Sequence, residues 1–389
     1  MKIALHYPFV EHWAESELAQ RIEIAAQRLG WQALALRSPV EILHFAPDFV
    51  LALHHNSQKL WPFPTYGCMW NPPAFFDGVD VAIQTILNYD GYLIASRPIE
   101  AWLDHQLQSH LPTLKAPFYP SCFRTPYQSP SLENPRLVYL GSNWDGDRFL
   151  SLFQLLDRLD FVDIYGRELG WHFLQKNYRG SLPFDGVSVL KVLNQAGVGL
   201  CLHRPEHRQA EVPSMRLFEI VAAGAIAICG DHPFIRRTFG DTVLYLDPDS
   251  HPAEQVQHIQ HHMNWIAAHP EAAHQLSQRA HQIFVEQYSL ENLLQTIGYA
   301  HQHGLLQRLK EPLAFMHQYD RQQVQYLVEQ LVLCQQKLAQ VTHQRDEGLT
   351  QIQAMESSKF WKVRSHWIRI KQRFKQRLNW AMIKPESKR

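Results

Sequence analysis

The chain has 389 residues, more than one hydrophobic core ordinarily serves, so at ~150 residues per domain two domains and an appendage are expected. Hydrophobic residues make up 46% and aromatics 12%, which excludes a chain disordered throughout. The formal net charge of zero hides an asymmetry, because nine Lys or Arg and no Asp or Glu lie between Lys359 and Lys384, leaving the remainder acidic by a like amount.

Cys68, Cys122, Cys201, Cys229 and Cys334 are odd in number, far apart and in neither CxxC nor Cys/His metal spacing. That reads as thiols in a reducing, cytoplasmic compartment rather than a disulfide framework. The N-terminus, Met-Lys-Ile-Ala-Leu-His-Tyr-Pro, has too short an apolar run for a signal peptide and reads as a first strand. No run of roughly 18 uncharged apolar residues occurs, so no membrane-spanning segment is expected.

In chain order, Lys2–Tyr7 reads as a strand, Glu15–Leu29 as a helix ending at Gly30, and Gln32–Leu36 and Asp48–His54 as strands. Gly91–Ala95 and the helix after Pro98 repeat the theme. Strands that are apolar throughout and alternate with helices imply a parallel sheet covered on both faces. Residues 120–136 are rich in Pro and Ser and read as a linker between domains. A second alternation follows: strands Arg136–Leu140, Phe161–Tyr165, Val198–His203, Ala225–Gly230 and Thr242–Leu246, with helices Asp147–Leu159, Val187–Gln195 and Ser214–Ala223. Beyond about residue 255 the chain reads as helical, with 318–356 a long solvated helix or a short coiled coil. The expected architecture is α/β, with two Rossmann-like doubly wound domains at 1–125 and 136–300 and a helical region at 301–389. Ligands of such sheets sit beyond the carboxyl ends of the strands.

The stretch "EVPSMRLFEIVAAGAIAICGD", residues 211–231, carries the sharpest signal. With Ser214 as cap, Arg216 falls in the first helical turn and Glu219 three residues later on the same face. A carboxylate there can accept hydrogen bonds from two ribose hydroxyls, and Arg216 with the helix N-terminus favours a diphosphate. The competing reading is an exposed ion pair between Arg216 and Glu219. Ala222, Ala223, Gly224 and Ala225 remove bulk where the helix turns back into a strand.

This stretch resembles the donor-binding signature of GT-B glycosyltransferases of the family 4 type, in which two glutamates separated by seven residues precede a helix rich in Ala and Gly; Glu211 and Glu219 have that spacing. "LVYLGSNWDGDRF" (138–149), "VDIYGR" (162–167), "YRGSLP" (178–183) and "VGLCLHRP" (198–205) resemble the preceding pieces of the donor domain in order, over about residues 136–250. The resemblance implies a nucleotide-sugar held by the C-terminal domain and an acceptor held by the N-terminal one. It places Glu219 on the ribose and Glu211 near the transferred sugar, with Arg216 the candidate for the diphosphate. Val-Pro-Ser follows Glu211 where family members usually have Gly-Phe-Gly.

Gly141, Ser142 and Asn143, between a strand and a helix, suit a loop whose N–H groups approach phosphate. Asp145-Gly146-Asp147 spells DxD but is read as capping the helix that follows, so no metal and no cofactor beyond the donor are expected. His54 and His55, ending an apolar strand, are the candidate catalytic residues of the N-terminal half, and His6 ends the first strand similarly. His258, His261 and His262 lie at helical spacing and are read as a solvated face.

The tail, residues 357–384, sets Phe360, Val363, Trp367, Ile370, Phe374 and Leu378 on one stripe among basic residues. Such a helix suits an anionic membrane surface better than nucleic acid, with packing on the protein's own helices as the alternative. The resulting expectation is a glycosyltransferase that uses a glycan or lipid-linked acceptor, retaining by the family likeness, cytoplasmic and peripheral to the membrane. A non-catalytic scaffold of the same fold and a sugar-nucleotide epimerase are the alternatives.

Overall fold

A computed structural model describes residues 1–8, 13–108, 114–143 and 149–308, with scattered helical positions from 326 onward. The chain forms two compact units, Met1–Gln318 and Tyr319–Arg389. The first contains two parallel sheets; Asp145, Gly146 and Asp147 and the apolar stripe of the tail (Phe360, Val363, Trp367, Ile370, Phe374 and Leu378) lie outside the described residues.

The first sheet is built from β1 (Lys2–His6), β2 (Gln32–Ala35), β3 (Phe49–Ala52), β4 (Thr65–Met69), β5 (Gly91–Ile94) and β6 (Leu114–Pro117), ordered β2-β1-β3-β4-β5-β6 and parallel throughout. Helices α1 (Ala14–Arg28), α2 (Pro39–Phe45), α3 (Asp80–Leu87) and α4 (Arg97–Leu107) connect its strands. The apolar strands lie where the alternation predicts. Strands β4 and β6 are additions: Thr-Tyr-Gly-Cys-Met and Leu-Lys-Ala-Pro lack a continuous apolar run, and tertiary packing decides them. In β4 a Cβ on Gly67 would lie 2.3 Å from the Tyr89 ring.

The second sheet comprises β7 (Arg136–Leu140), β8 (Val162–Tyr165), β9 (Gly197–Cys201), β10 (Ile226–Gly230) and β11 (Leu244–Leu246), ordered β11-β10-β9-β7-β8 and again parallel. Between its strands run α5 (Leu150–Leu156), α6 (Glu168–Trp171), α7 (Ser188–Ala196), α8 (Pro205–Gln209), α9 (Met215–Ala222) and α10 (Pro233–Phe239). Helices α11 (Pro252–Ala268), α12 (Pro270–Ile283) and α13 (Leu290–Arg308) follow. Helix α13 returns to the first lobe, packing against α1 and β6, with Tyr66 Oη 2.7 Å from His301 Nδ1.

The segment joining the lobes is held from both sides. Leu290 N donates to Cys122 O, and the His281 ring lies between Val221 O and Thr125 O at 2.9 and 3.0 Å. The small residues after α9 have a defined purpose here: Gly224 has φ +70°, and a Cβ there would lie 2.5 Å from Gln128 O. Glycine alone permits both the left-handed backbone and that approach.

Both lobes present the carboxyl ends of their strands to one crevice. Trp13, before α1, stacks on the Arg167 guanidinium at 5.2 Å, and Phe75 lies 5.2 Å from that of Arg204. Ser96 Oγ donates to Ala210 O at 2.6 Å.

Candidate functional site

Ser214 caps α9, accepting from Arg216 N at 3.3 Å, while its own N–H donates to His203 Nε2 at 2.9 Å. That second bond aims the helix, and the motif gave no sign of it. His203 is buried at the end of β9, its ring 4.3 Å from that of His232, and burial, with His232, His207 and Arg216 nearby, holds it far below the ordinary imidazole value. It is neutral, with Nε2 the acceptor.

Arg216 leaves the first turn of α9 toward the ends of β7 and β9. Its Nε donates to Leu140 O, its Nη1 to Leu202 O at 3.3 Å, and its guanidinium lies 4.2 Å from the centre of the Tyr139 ring. A cation is thereby fixed beside the loop of Gly141, Ser142 and Asn143. Gly141 donates its N–H to Tyr165 O, so its contribution is room: a Cβ there would lie 2.9 Å from Arg216 Nη2. Asn143, buried at φ +43°, donates from Nδ2 to Gly170 O at 2.7 Å, and Trp171 Nε1 donates to Gly141 O at 2.7 Å. At Gly166, φ +157°, a Cβ would lie 1.9 Å from Gly141 O, so the loop rests directly on the backbone after β8.

Glu219 does not pair with Arg216. Its Oε1 accepts from Nη2 of Arg21, on α1 of the first lobe, at 2.7 Å, and the same Nη2 reaches Glu17 Oε1 at 2.7 Å. Arg21 is fully buried, and Glu17 Oε2 accepts from Gly186 N at 3.2 Å. Burial raises the Glu17 pKa even though Arg21 pulls it down. Removing one partner of a buried pair typically costs ~3–5 kcal/mol, so this cluster is a strut between lobes as well as part of the site. Glu211, at φ +53° and half-buried, pairs with Arg237 at 2.6 Å on the second lobe.

On the first lobe, His54 and His55 follow β3 in a turn with their rings 3.9 Å apart, His55 against Phe76 at 4.7 Å. Asn56 N donates to His54 Nδ1 at 3.1 Å, which assigns the ring proton to Nε2, and Nε2 lies 4.0 Å from Glu15 Oε1. Burial brings His54 down to about 3 and His55 to about 4, so both are neutral near pH 7. His6, also lowered to about 4 by burial, has its Nε2 3.3 Å from Arg37 O and its ring against Trp61. Glu15 is a residue that sequence reasoning missed, as it missed Arg21 and His203. It sits in the first turn of α1, 5% exposed, and burial raises its carboxyl to about 7.

A group poised there titrates in the working range of an acid or base. Because the folded pKa of Glu15 is raised, its stabilising contribution is complete below about 4.5 and is lost as pH rises through about 7. Glu15→Gln should therefore gain on the order of 2 kcal/mol relative to the parent chain between pH 5 and pH 8. The lowered histidines act equally on both proteins and cancel. Denaturant unfolding at the two pH values measures this, and a pH-independent difference would contradict the assignment.

With this geometry in view, residues 148–298 match the model of a family described as glycosyl transferase-like. Sucrose-phosphate synthase from Thermosynechococcus elongatus is structurally similar, with a TM-score of 0.54 at 12% identity over 77% of this chain and 98% of that one. The chain has the GT-B fold. HepE of Anabaena, solved with UDP-glucose, shares it with a TM-score of 0.51 at 11% identity over 77% of this chain and 98% of that one. So does an alpha-glucosyltransferase solved with UDP, at 0.51 and 8% identity over 77% and 99%. A comparison with curated proteins finds no match. In GT-B terms the first sheet is the N-terminal lobe and the second, which holds the matched segment, the C-terminal lobe, as the resemblance of the donor signature anticipates. Among the described residues no helix is long and apolar enough to cross a membrane.

Proposed function

We propose that this chain is a metal-independent glycosyltransferase that takes a hexose or related sugar from a nucleotide donor held by the second lobe and passes it, with retention, to a glycan or lipid-linked acceptor at the first. The observation that carries this reading is Arg216 fixed beside Gly141 at the strand ends of a lobe that matches a glycosyl transferase-like family, with Glu219 three residues further along the same helix. Glu219 takes the ribose hydroxyls, and Arg216 with the start of α9 takes the diphosphate charge that develops as the sugar leaves. The HepE and alpha-glucosyltransferase structures, holding UDP-glucose and UDP, favour a uridine donor.

Across the crevice, His54, with His55 stacked beside it, is the candidate to meet the sugar or acceptor, with Glu15 ready to take a proton. A cavity of about 270 Å³ lined by Ser96, Arg97, Glu100, Lys115 and Tyr119 supplies polar groups on the acceptor side. Glu211, tied to Arg237, is the candidate to meet the transferred sugar.

Titration calorimetry of the full chain against UDP, GDP, ADP and TDP, followed by donor turnover with and without acceptor, tests the reading. Binding of one diphosphate and acceptor-dependent turnover are expected. Binding of none would point to a scaffold, and acceptor-independent conversion of the sugar to an epimerase. The proposed peripheral site rests on the basic stripe at 357–384, and cosedimentation with anionic vesicles should be lost when residues 357–389 are deleted.

A further inference from the structure

We propose that Arg21, a residue of the first lobe, is a positioning residue for the donor site of the second: by holding one oxygen of Glu219 it turns the other toward the ribose. The inference rests on the ribose role proposed for Glu219.

The two residues are 198 positions apart, yet Arg21 Nη2 and Glu219 Oε1 meet at 2.7 Å, and Arg21 has no exposed surface. No other hydrogen bond to Glu219 exists among the described residues, so Oε2 keeps its acceptor capacity. A glutamate fixed only by its helix can rotate its carboxylate, and the bond from Arg21 removes that freedom before a ligand arrives.

Stability alone is a poor reason to keep this arrangement. Nε and Nη1 of Arg21 are buried without a hydrogen-bond partner, which costs desolvation, and buried ion pairs are often replaceable by apolar side chains without loss. Two carboxylates on one guanidinium also leave an excess of negative charge, which favours hydroxyl donors at Oε2. Because Glu17 of the same helix accepts from Gly186 N, drawing the lobes apart would withdraw Arg21 and release Glu219. Donor affinity is thus coupled to lobe docking through one side chain.

The test compares the full-length parent chain with R21K and with the double variant E17Q/R21M, which avoids stranding the Glu17 charge. Each is titrated with the nucleoside diphosphate that the parent binds and with its 2′,3′-dideoxy form. Both variants should bind the ordinary diphosphate about tenfold or more weakly, the worth of one charge-assisted hydrogen bond, and the dideoxy form as well as the parent does. Should the double variant not fold, R21K decides alone, since an ammonium cannot reproduce the geometry of the guanidinium. Equal weakening for both nucleotides, or unchanged binding of the ordinary one, overturns the positioning role and leaves the donor site standing. A parent chain that binds no diphosphate overturns the donor reading itself.

Discussion

Glu219→Gln should weaken nucleoside diphosphate binding by about tenfold or more and lower donor turnover in step, with the melting temperature falling by only a few degrees. A carboxylate accepting from two ribose hydroxyls makes charge-assisted bonds worth ~1.5–3 kcal/mol each, and the amide keeps one neutral acceptor. Held by Arg21 Nη2, that single amide oxygen keeps the strut between lobes, weakened rather than removed, and leaves the amide N–H donors facing the ribose. Glu219→Ala should lose more of both. A near-unchanged melting temperature is the natural expectation for an exposed helical glutamate, but Glu219 is 7% exposed and bonded across the crevice, so truncation carries a stability cost as well. Calorimetry and thermal melts on both variants separate the two contributions. Glu219→Gln with parent-like affinity would sink the ribose assignment.

Trp171→Ala should cost about 3–5 kcal/mol, the range for emptying an aromatic site in a packed core. Trp171 is 1% exposed and lies against Phe153, Tyr139 and Phe173 at centroid distances of 4.8, 5.7 and 5.9 Å. Its indole N–H also holds Gly141 O, so the cavity would open directly beneath the candidate phosphate loop. Trp171→Phe retains most of the packing and loses about 1 kcal/mol for the missing hydrogen bond, with a larger relative effect on diphosphate binding than on melting. Thermal unfolding of the two variants measures the contrast. A melting point unchanged in Trp171→Ala would show that the cluster does not bear on this lobe's stability.

The parallel strands were readable because both faces of each are covered, which leaves runs such as Phe-Val-Leu-Ala and Ile-Ala-Ile-Cys-Gly with no polar alternation. The start of α9 was readable because a serine cap acts on the backbone two residues away. Strands β4 and β6 were not, since their short mixed sequences acquire strand structure from the neighbours they pair with. The site divides in the same way. Glu211, Arg216 and Glu219 stood out by spacing within one segment, whereas Glu15, Arg21 and His203 were invisible.

What the amino-acid sequence determined unaided was the rhythm of two doubly wound lobes, the cap and acidic spacing of one helix, and through them the family the second lobe resembles. All of these depend on interactions a few residues long. The tertiary structure alone decided that Glu219 answers to Arg21 rather than Arg216, that Glu15 and His54 share a buried corner, and that His203 aims α9. Those partnerships join side chains brought together by lobe docking and strand order, and neither hydropathy nor spacing encodes a contact between residues 198 positions apart.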